Sequence, residues 1–253
     1  MLATTLDEVI AQLTATIADA RQRQTRLGYF AALYRLVTVN VKTGIEAGHF
    51  QDGARMAQLD VAFANRYLVA LEAYQQGQPT SACWRVAFDA AEAWRPLILQ
   101  HLLLGMNAHI NFDLGIAAAE TSPGASLHAS QNDFNEINRI LAGLIQTVQV
   151  QIGSVSPWIW LLDKIGGRTD EKIVEFSLNV ARREAWSFAV RLAQTPQAQW
   201  PAELARKDNE IAALGRLIQH PGYLLNAGML PIRVRESSDV RAVIDMLSQT
   251  PIV

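Results

Sequence analysis

The sequence predicts an all-α protein, a bundle of about nine or ten helices packed around a buried central helix at about residues 96–120. Three observations predict it. Apolar residues recur at three- and four-residue spacing along most of the chain, which is the period of an amphipathic helix. No run of alternating residues long enough for a sheet of any size is found. Half of the 253 residues are hydrophobic and only 18% are charged, so the chain can bury a large core and has little solvated excess. No fixed repeat of about 20–50 residues suggests a solenoid. The chain reads as a single all-α domain, 1–253, with an N-terminal amphipathic helix at 1–26 and, at 229–253, a C-terminal extension and last helix.

The elements follow in order. Thr5-Leu6-Asp7-Glu8 reads as a capping box, and Leu6, Val9, Ile10, Leu13 and Ile17 form one stripe of a helix running to about Arg26. The second helix, Leu27 to Ala47, carries Phe30, Leu33, Tyr34, Val37, Val41 and Ile45 at helical spacing. That spacing outweighs the strand propensity of Val37, Thr38, Val39 and Val41. A turn at Gly48–Gly53 leads to a third helix, Ala54 to Gln76, stopped by Gly77 with Pro79 beyond it. Ser81 to Trp94 is the fourth. Pro96 stops it and can occupy the first turn of the fifth, which runs to about Glu120. Thr121–Ser130 is a loop by composition. Ser130 or Asn132 caps a sixth helix to about Gly153, and Ser156-Pro157 starts a short seventh, PWIWLLDKIGG. Thr169 or Asp170 starts an eighth to Gln194, and Pro201 a ninth that ends near His220-Pro221-Gly222. Met229–Glu236 reads as irregular or briefly extended, with a last helix capped by Ser237 or Ser238.

Composition narrows the partners. The net charge of −2 provides no basic field for nucleic acid. The single cysteine, Cys83, cannot form an intramolecular disulfide, which fits a cytoplasmic setting. No basic segment followed by an apolar one opens the chain, so no secretory signal is expected. The longest apolar run, Pro96 to Gly105, is broken by Gln100 and His101, and a membrane-spanning helix needs ~20 apolar residues. The expected partner is a small molecule, with a homo-oligomer left open.

Within the central helix lies HLLLGMNAHINFDLG, His101 to Gly115. On a helix with 3.6 residues per turn, His101, Gly105, His109 and Asp113 share one stripe, and Asn107 and Asn111 another. Leucines, Met106 and Ile110 fill the rest, so the helix is apolar all round and expected to be buried. Buried polar groups need partners. Asp60 with the neighbouring Asn65 and Arg66, Asp133 with Asn135 and Asn138, and Arg182 with Arg183 and Glu184 are the nominees from other helices. His109, Asp113, Asp60, Asp133 and Arg182 would make a polar cluster of the kind in which helical bundles build their sites.

Two function classes follow. One is a hydrolase, using a divalent metal or an acid–base pair. His109, Asp113, Asp60 and Arg182 would carry the chemistry, and His101, Asn107, Asn111 and Asp133 would contact the ligand. His109 and Asp113, one turn and about 6 Å apart along the axis, can share an ion, with Asp60 as the third ligand. His101 stands about 12 Å from His109, too far to join them. Gly105 between them leaves room for a ligand or another backbone. The other class is a non-catalytic protein that binds a small ligand or a partner, in which the cluster fixes helix register.

The central segment, with FANRYL before it and ARREAWSFA after it, resembles a bacterial domain-of-unknown-function family marked by Gly-Met-Asn-Ala-His-Ile-Asn-x-Asp-Leu. The resemblance covers about Tyr29 to Ala193. It implies an α-helical fold and carries no activity, so no catalytic role transfers with it. A fainter similarity is to helical zinc-dependent phospholipases C and nucleases, which place Leu-Gly-Asp-x-His-Gln-Pro-x-His on a central helix. Here Met106 stands in place of the aspartate after Gly105, the Gln-Pro pair is missing, and five histidines are few for such a site. Trp158 and Trp160 could anchor a surface, but Trp158, Leu161, Leu162 and Ile165 also form a core stripe. Trp84 and Trp94 read as core.

Overall fold

The computed structural model describes residues 1–124, 126–157 and 178–249. Helix takes up 81% of it, no strand occurs among the described residues, and the helices pack into one body. Helix α1 is Leu6–Arg23, with the Thr5 hydroxyl accepting from the Glu8 N–H at 3.2 Å. The capping box extends back one residue, because Glu8 accepts mainly from the N–H and hydroxyl of Thr4 and more weakly from the Thr5 N–H. The inner stripe of α1, Val9, Leu13, Ile17 and Ala20, packs on α2, Leu27–Glu46. Helix α2 is buried almost all round from Leu27 to Tyr34, and its β-branched residues stay helical, since burial overrides their propensity.

Helix α3, Gly53–Gln75, is capped by the Asp52 carboxylate, and Gly77 stops the chain at φ +70°, where a side chain would be strained. Helix α4 is Ala82–Glu92. Ser81 does not cap it. The N–H groups of Ala82 and Cys83 instead donate to Asp208 at 2.7 and 2.8 Å.

The central helix has three parts: α5, Ile98–Ala108, then a π-helical turn, His109–Asp113, then α6, Leu114–Thr121. Pro96 is not in its first turn, as the sequence suggested, but one residue before the cap, Leu97. The Gln100 side chain and the buried Glu236 carboxylate accept from the N–H groups of Leu97 and Ile98. Short helix α7, Ser126–Ala129, interrupts the expected loop, and α8 is Gln131–Val155. Then follow α9, Leu178–Gln194, α10, Trp200–Gln219, α11, Tyr223–Arg235, and α12, Val240–Ser248.

Two C-terminal expectations are corrected. Met229–Glu236 is not extended: it is mostly the second half of α11, and Pro231 is tolerated because it and Ala227, whose carbonyl it leaves free, lie on the exposed side. The last helix is capped by Asp239, which accepts from the Ala242 N–H, not by Ser237 or Ser238. The expected seventh helix with Trp158 and Trp160, and the start of the eighth at Thr169 or Asp170, lie outside the described residues.

The central helix is covered on all sides. Helices α2, α4 and α10 pack on α5, while α3 and α9 pack on the π turn and α6. Ile98–Thr121 is the one helix among the described residues long and apolar enough to cross a membrane, and 83% of its apolar window is buried in the protein.

Candidate functional site

The π turn sets the site. The N–H of Leu114 reaches back five residues to the carbonyl of His109, which takes one residue more than an α-turn. His109 opens the turn and Asp113 closes it, and both side chains are 3% exposed. His109 Nδ1 lies 3.3 Å from Asp113 Oδ2. The same Oδ2 accepts from Trp84 Nε1 of α4 at 2.8 Å, and Oδ1 accepts from Arg66 Nε of α3 at 3.2 Å. Asp113 is therefore held from three directions and in turn orients the imidazole.

The imidazole sits in an aromatic box. Phe63 stacks flat on it, with centroids 3.5 Å apart and planes 6° from parallel. Tyr34 meets it edge-on at 4.3 Å, and Phe30, Trp84 and Tyr67 close the remaining sides. Burial lowers the His109 pKa, while Asp113 works against that shift. A ring with its proton on Nδ1 toward Asp113 leaves the Nε2 lone pair free. Nε2 is buried without a hydrogen-bond partner.

Three further polar atoms around the box lack a partner: Asp60 Oδ2, the Tyr34 hydroxyl and the Tyr67 hydroxyl. Burial pushes the Asp60 carboxyl up to about 7. Tyr34 is raised by burial first and then by the charges of Asp60 and Asp113, so its hydroxyl lies within electrostatic reach of both carboxyls. The Thr38 hydroxyl donates to the Tyr34 main-chain carbonyl and is also close enough to the Tyr34 hydroxyl to work against the rise.

The family of unknown function DUF5995 matches residues 6–221, a span that contains the His109 turn and every wall of its box. The chain belongs to this family. No curated protein and no solved structure matches it. Helices α11 and α12 lie beyond the stretch matched to DUF5995.

The other candidate residues of this DUF5995 chain are dispersed. His101 is buried edge-on to Tyr29 and beside the Pro96 carbonyl. Burial first, then the charges of Arg26 and Arg233, take it down to about 3 against the pull of that carbonyl. It lines a cavity of about 20 Å³ with Arg26, Phe30, Tyr67, Trp84 and Gly105. Asn107 and Asn111 fasten helices: Asn111 donates to Asn107, and Asn107 donates to the Ile211 carbonyl of α10. Asp133 accepts from the N–H groups of Gln51 and Asp52 and pairs with Arg55. Arg182 donates to the Phe134 carbonyl, lies over the Phe134 ring, and is pushed down to about 9 by burial. The expected cluster of five thus divides. His109 and Asp113 join, Asp60 is buried within electrostatic reach of Tyr34, and Asp133 and Arg182 serve the start of α8. Trp94, read as core, is half exposed.

The expected metal set does not form. Among the described residues no three His, Cys, Asp or Glu side chains are grouped to hold an ion, and Asp113 is already committed to His109, Trp84 and Arg66. Thermal melts with zinc, with manganese and with a chelator are expected to share one midpoint. A drop with the chelator alone would restore the metal reading.

Proposed function

We propose that this DUF5995 protein is an acid–base enzyme of the hydrolase type, acting on a small molecule at the aromatic box with His109 as the base. One observation carries the reading: His109 Nε2 and the hydroxyl of Tyr67, a wall of its box, are buried without partners, and the buried Asp60 carboxyl, also with an unpartnered oxygen, is within electrostatic reach of the Tyr34 wall. Each such atom costs about 1–3 kcal/mol in a folded core, and native cores satisfy nearly all such groups. A fold that keeps them retains a cost that a bound molecule would relieve.

The roles follow from the chemistry. Asp113, fixed by Trp84 and Arg66, holds the Nδ1 proton and leaves Nε2 as the proton acceptor. As Nε2 takes a proton from water, the water oxygen adds to a carbonyl carbon and the carbonyl π pair moves onto its oxygen. The Tyr34 and Tyr67 hydroxyls and the protonated Asp60 carboxyl are donors suited to that oxyanion. The oxyanion pair then re-forms the carbonyl as the bond to the leaving group breaks, and the imidazolium gives its proton to the departing atom.

The adjoining cavity, with room for about one water, favours a second reading: the box holds a small ligand without turnover. Hydrolysis of 4-nitrophenyl acetate by wild type and by His109→Gln separates the two. The enzyme reading expects the variant to lose about 10²- to 10⁴-fold in rate, the worth of a positioned base, while its melting midpoint stays level or rises. Equal rates in both proteins overturn the base role. A large loss of stability without a change in rate makes the dyad a structural fastener.

A further inference from the structure

The cavity beside His101 has a chemistry of its own. It lies among the start of α2, α4 and α5, is half open, and has room for about one water. Leu27, Phe88 and Ala91 are among its apolar walls, while Phe30, Tyr67 and Trp84 are shared with the His109 box. The Trp84 N–H is given to Asp113, which leaves Arg26 and His101 as the lining side chains with nitrogen to offer a ligand.

The two differ in what they offer. A neutral imidazole has one N–H and one lone pair. The Pro96 carbonyl beside the His101 ring can take the N–H, and the other nitrogen is then a buried acceptor with no donor. The ring stays neutral, because burial and the charges of Arg26 and Arg233 take it down to about 3. Arg26 gives one N–H to the Ala91 carbonyl at 3.2 Å, and a guanidinium has several more. No acid lines the cavity. Glu92, next in the chain to Ala91, is exposed and within electrostatic reach of Tyr74, and the buried Glu236 is held by Ile98, Ser156 and Arg233.

The cavity therefore joins one acceptor and one charged donor in a space of water size. An anion would meet the His101 lone pair, a cation would meet Arg26, and a carbonyl would leave His101 without a donor. A hydroxyl satisfies both, since it donates and accepts at one oxygen. We propose that this cavity seats the hydroxyl of a small uncharged alcohol, its proton on His101 and its oxygen accepting from Arg26, with the carbon chain along the apolar walls. Apolar walls with a few convergent polar groups are the usual form of a small-molecule pocket. A lone water would find the same two partners and gain nothing from those walls. The claim concerns binding and holds whether or not His109 is a base.

The test follows the imidazole nitrogen NMR resonances of the isotope-labelled full chain, with those of His101 assigned by their loss in His101→Leu. Ethanol and propanol are expected to shift the acceptor nitrogen of His101 in a saturable way, while acetone and sodium formate leave it in place. Arg26→Gln should weaken the ethanol response about tenfold, through loss of a charged donor. Arg26→Lys, which keeps a charged donor, should weaken it less, and it carries the comparison if Arg26→Gln does not fold. No response to either alcohol overturns the proposal and leaves the cavity to water. A response to formate in place of the alcohols overturns it in favour of an anion site. Equal affinities in wild type and the Arg26 variants remove Arg26 from the site and overturn it as well.

Discussion

Asp60→Asn is expected to be more stable than wild type, by a margin that grows with pH. The Asp60 carboxyl is buried, its Oδ2 has no hydrogen-bond partner, and burial alone raises it from 3.8 to about 7. Between those values the folded protein holds a proton that the unfolded chain has released. Stability from this group is therefore fully present below about pH 4 and is lost as pH rises through about 7. Each pH unit across that window removes about 1.4 kcal/mol, so the loss is about 4 kcal/mol once the carboxyl is ionised. An asparagine has nearly the same shape and never ionises. Its advantage should be small at pH 4, rise across the window and level off above pH 7. Denaturant titrations of both proteins at several pH values measure it directly, and the difference cancels every other titrating group. A margin that does not change with pH would mean that Asp60 is solvated or partnered.

Gly105→Ala is expected to cost about 3 kcal/mol or more, at the upper end for overpacking a core. A Cβ at this position would lie 2.4 Å from Cγ and Cδ2 of Phe30 and 2.9 Å from its Cβ. A swing of the ring cannot relieve a clash that includes the Phe30 Cβ, so the backbone of α2 would have to move away from α5. Phe30 is also one wall of the His109 box, so the variant should lose the close fit around the imidazole as well as stability. Gly105→Ala combined with Phe30→Ala should cost less than the sum of the two single changes, because alanine lacks the Cγ and Cδ2 that the new Cβ meets most closely. Urea denaturation of the single and double variants checks both statements. A loss below about 1 kcal/mol in the single variant would show that α2 and α5 yield easily there.

The sequence was informative where a pattern is local. Helices show in apolar spacing, and the burial of the central helix shows in its apolar residues on every side. His109 and Asp113, four apart, were legible as a pair for the same reason. What failed was pairing across the chain. Asp133 and Arg182 are polar residues in apolar surroundings, as Asp60 is, but their partners are main-chain groups of the Gln51–Asp52 turn and of Phe134. Main-chain donors and acceptors leave no mark in sequence. The box was half visible. Phe30 and Tyr34 on α2, and Phe63 and Tyr67 on α3, are each four apart, so each helix carries two aromatics on one side. That both pairs close on one histidine depends on how three helices meet. Trp84 read as core, and it is core, but its indole N–H also anchors Asp113.

The π turn also makes chain length at one point part of the site. Upstream of it, the central helix is keyed to α4 and α10; downstream, Gly115 lies so close to α9 that a Cβ would sit 2.7 Å from the Ala185 carbonyl. Removing one residue from His109–Asp113 would return the turn to regular α winding and leave the flanking halves close to their present faces. His109 and Asp113 would then lose the five-residue turn that sets them, and with it their joint fit to Phe63, Trp84 and Arg66. In evolutionary terms, a loop absorbs gains and losses of single residues, but here one residue more or less switches the arrangement on or off as a whole. Lineages that carry this arrangement are expected to drift in side chains around the turn while the residue count across it stays fixed.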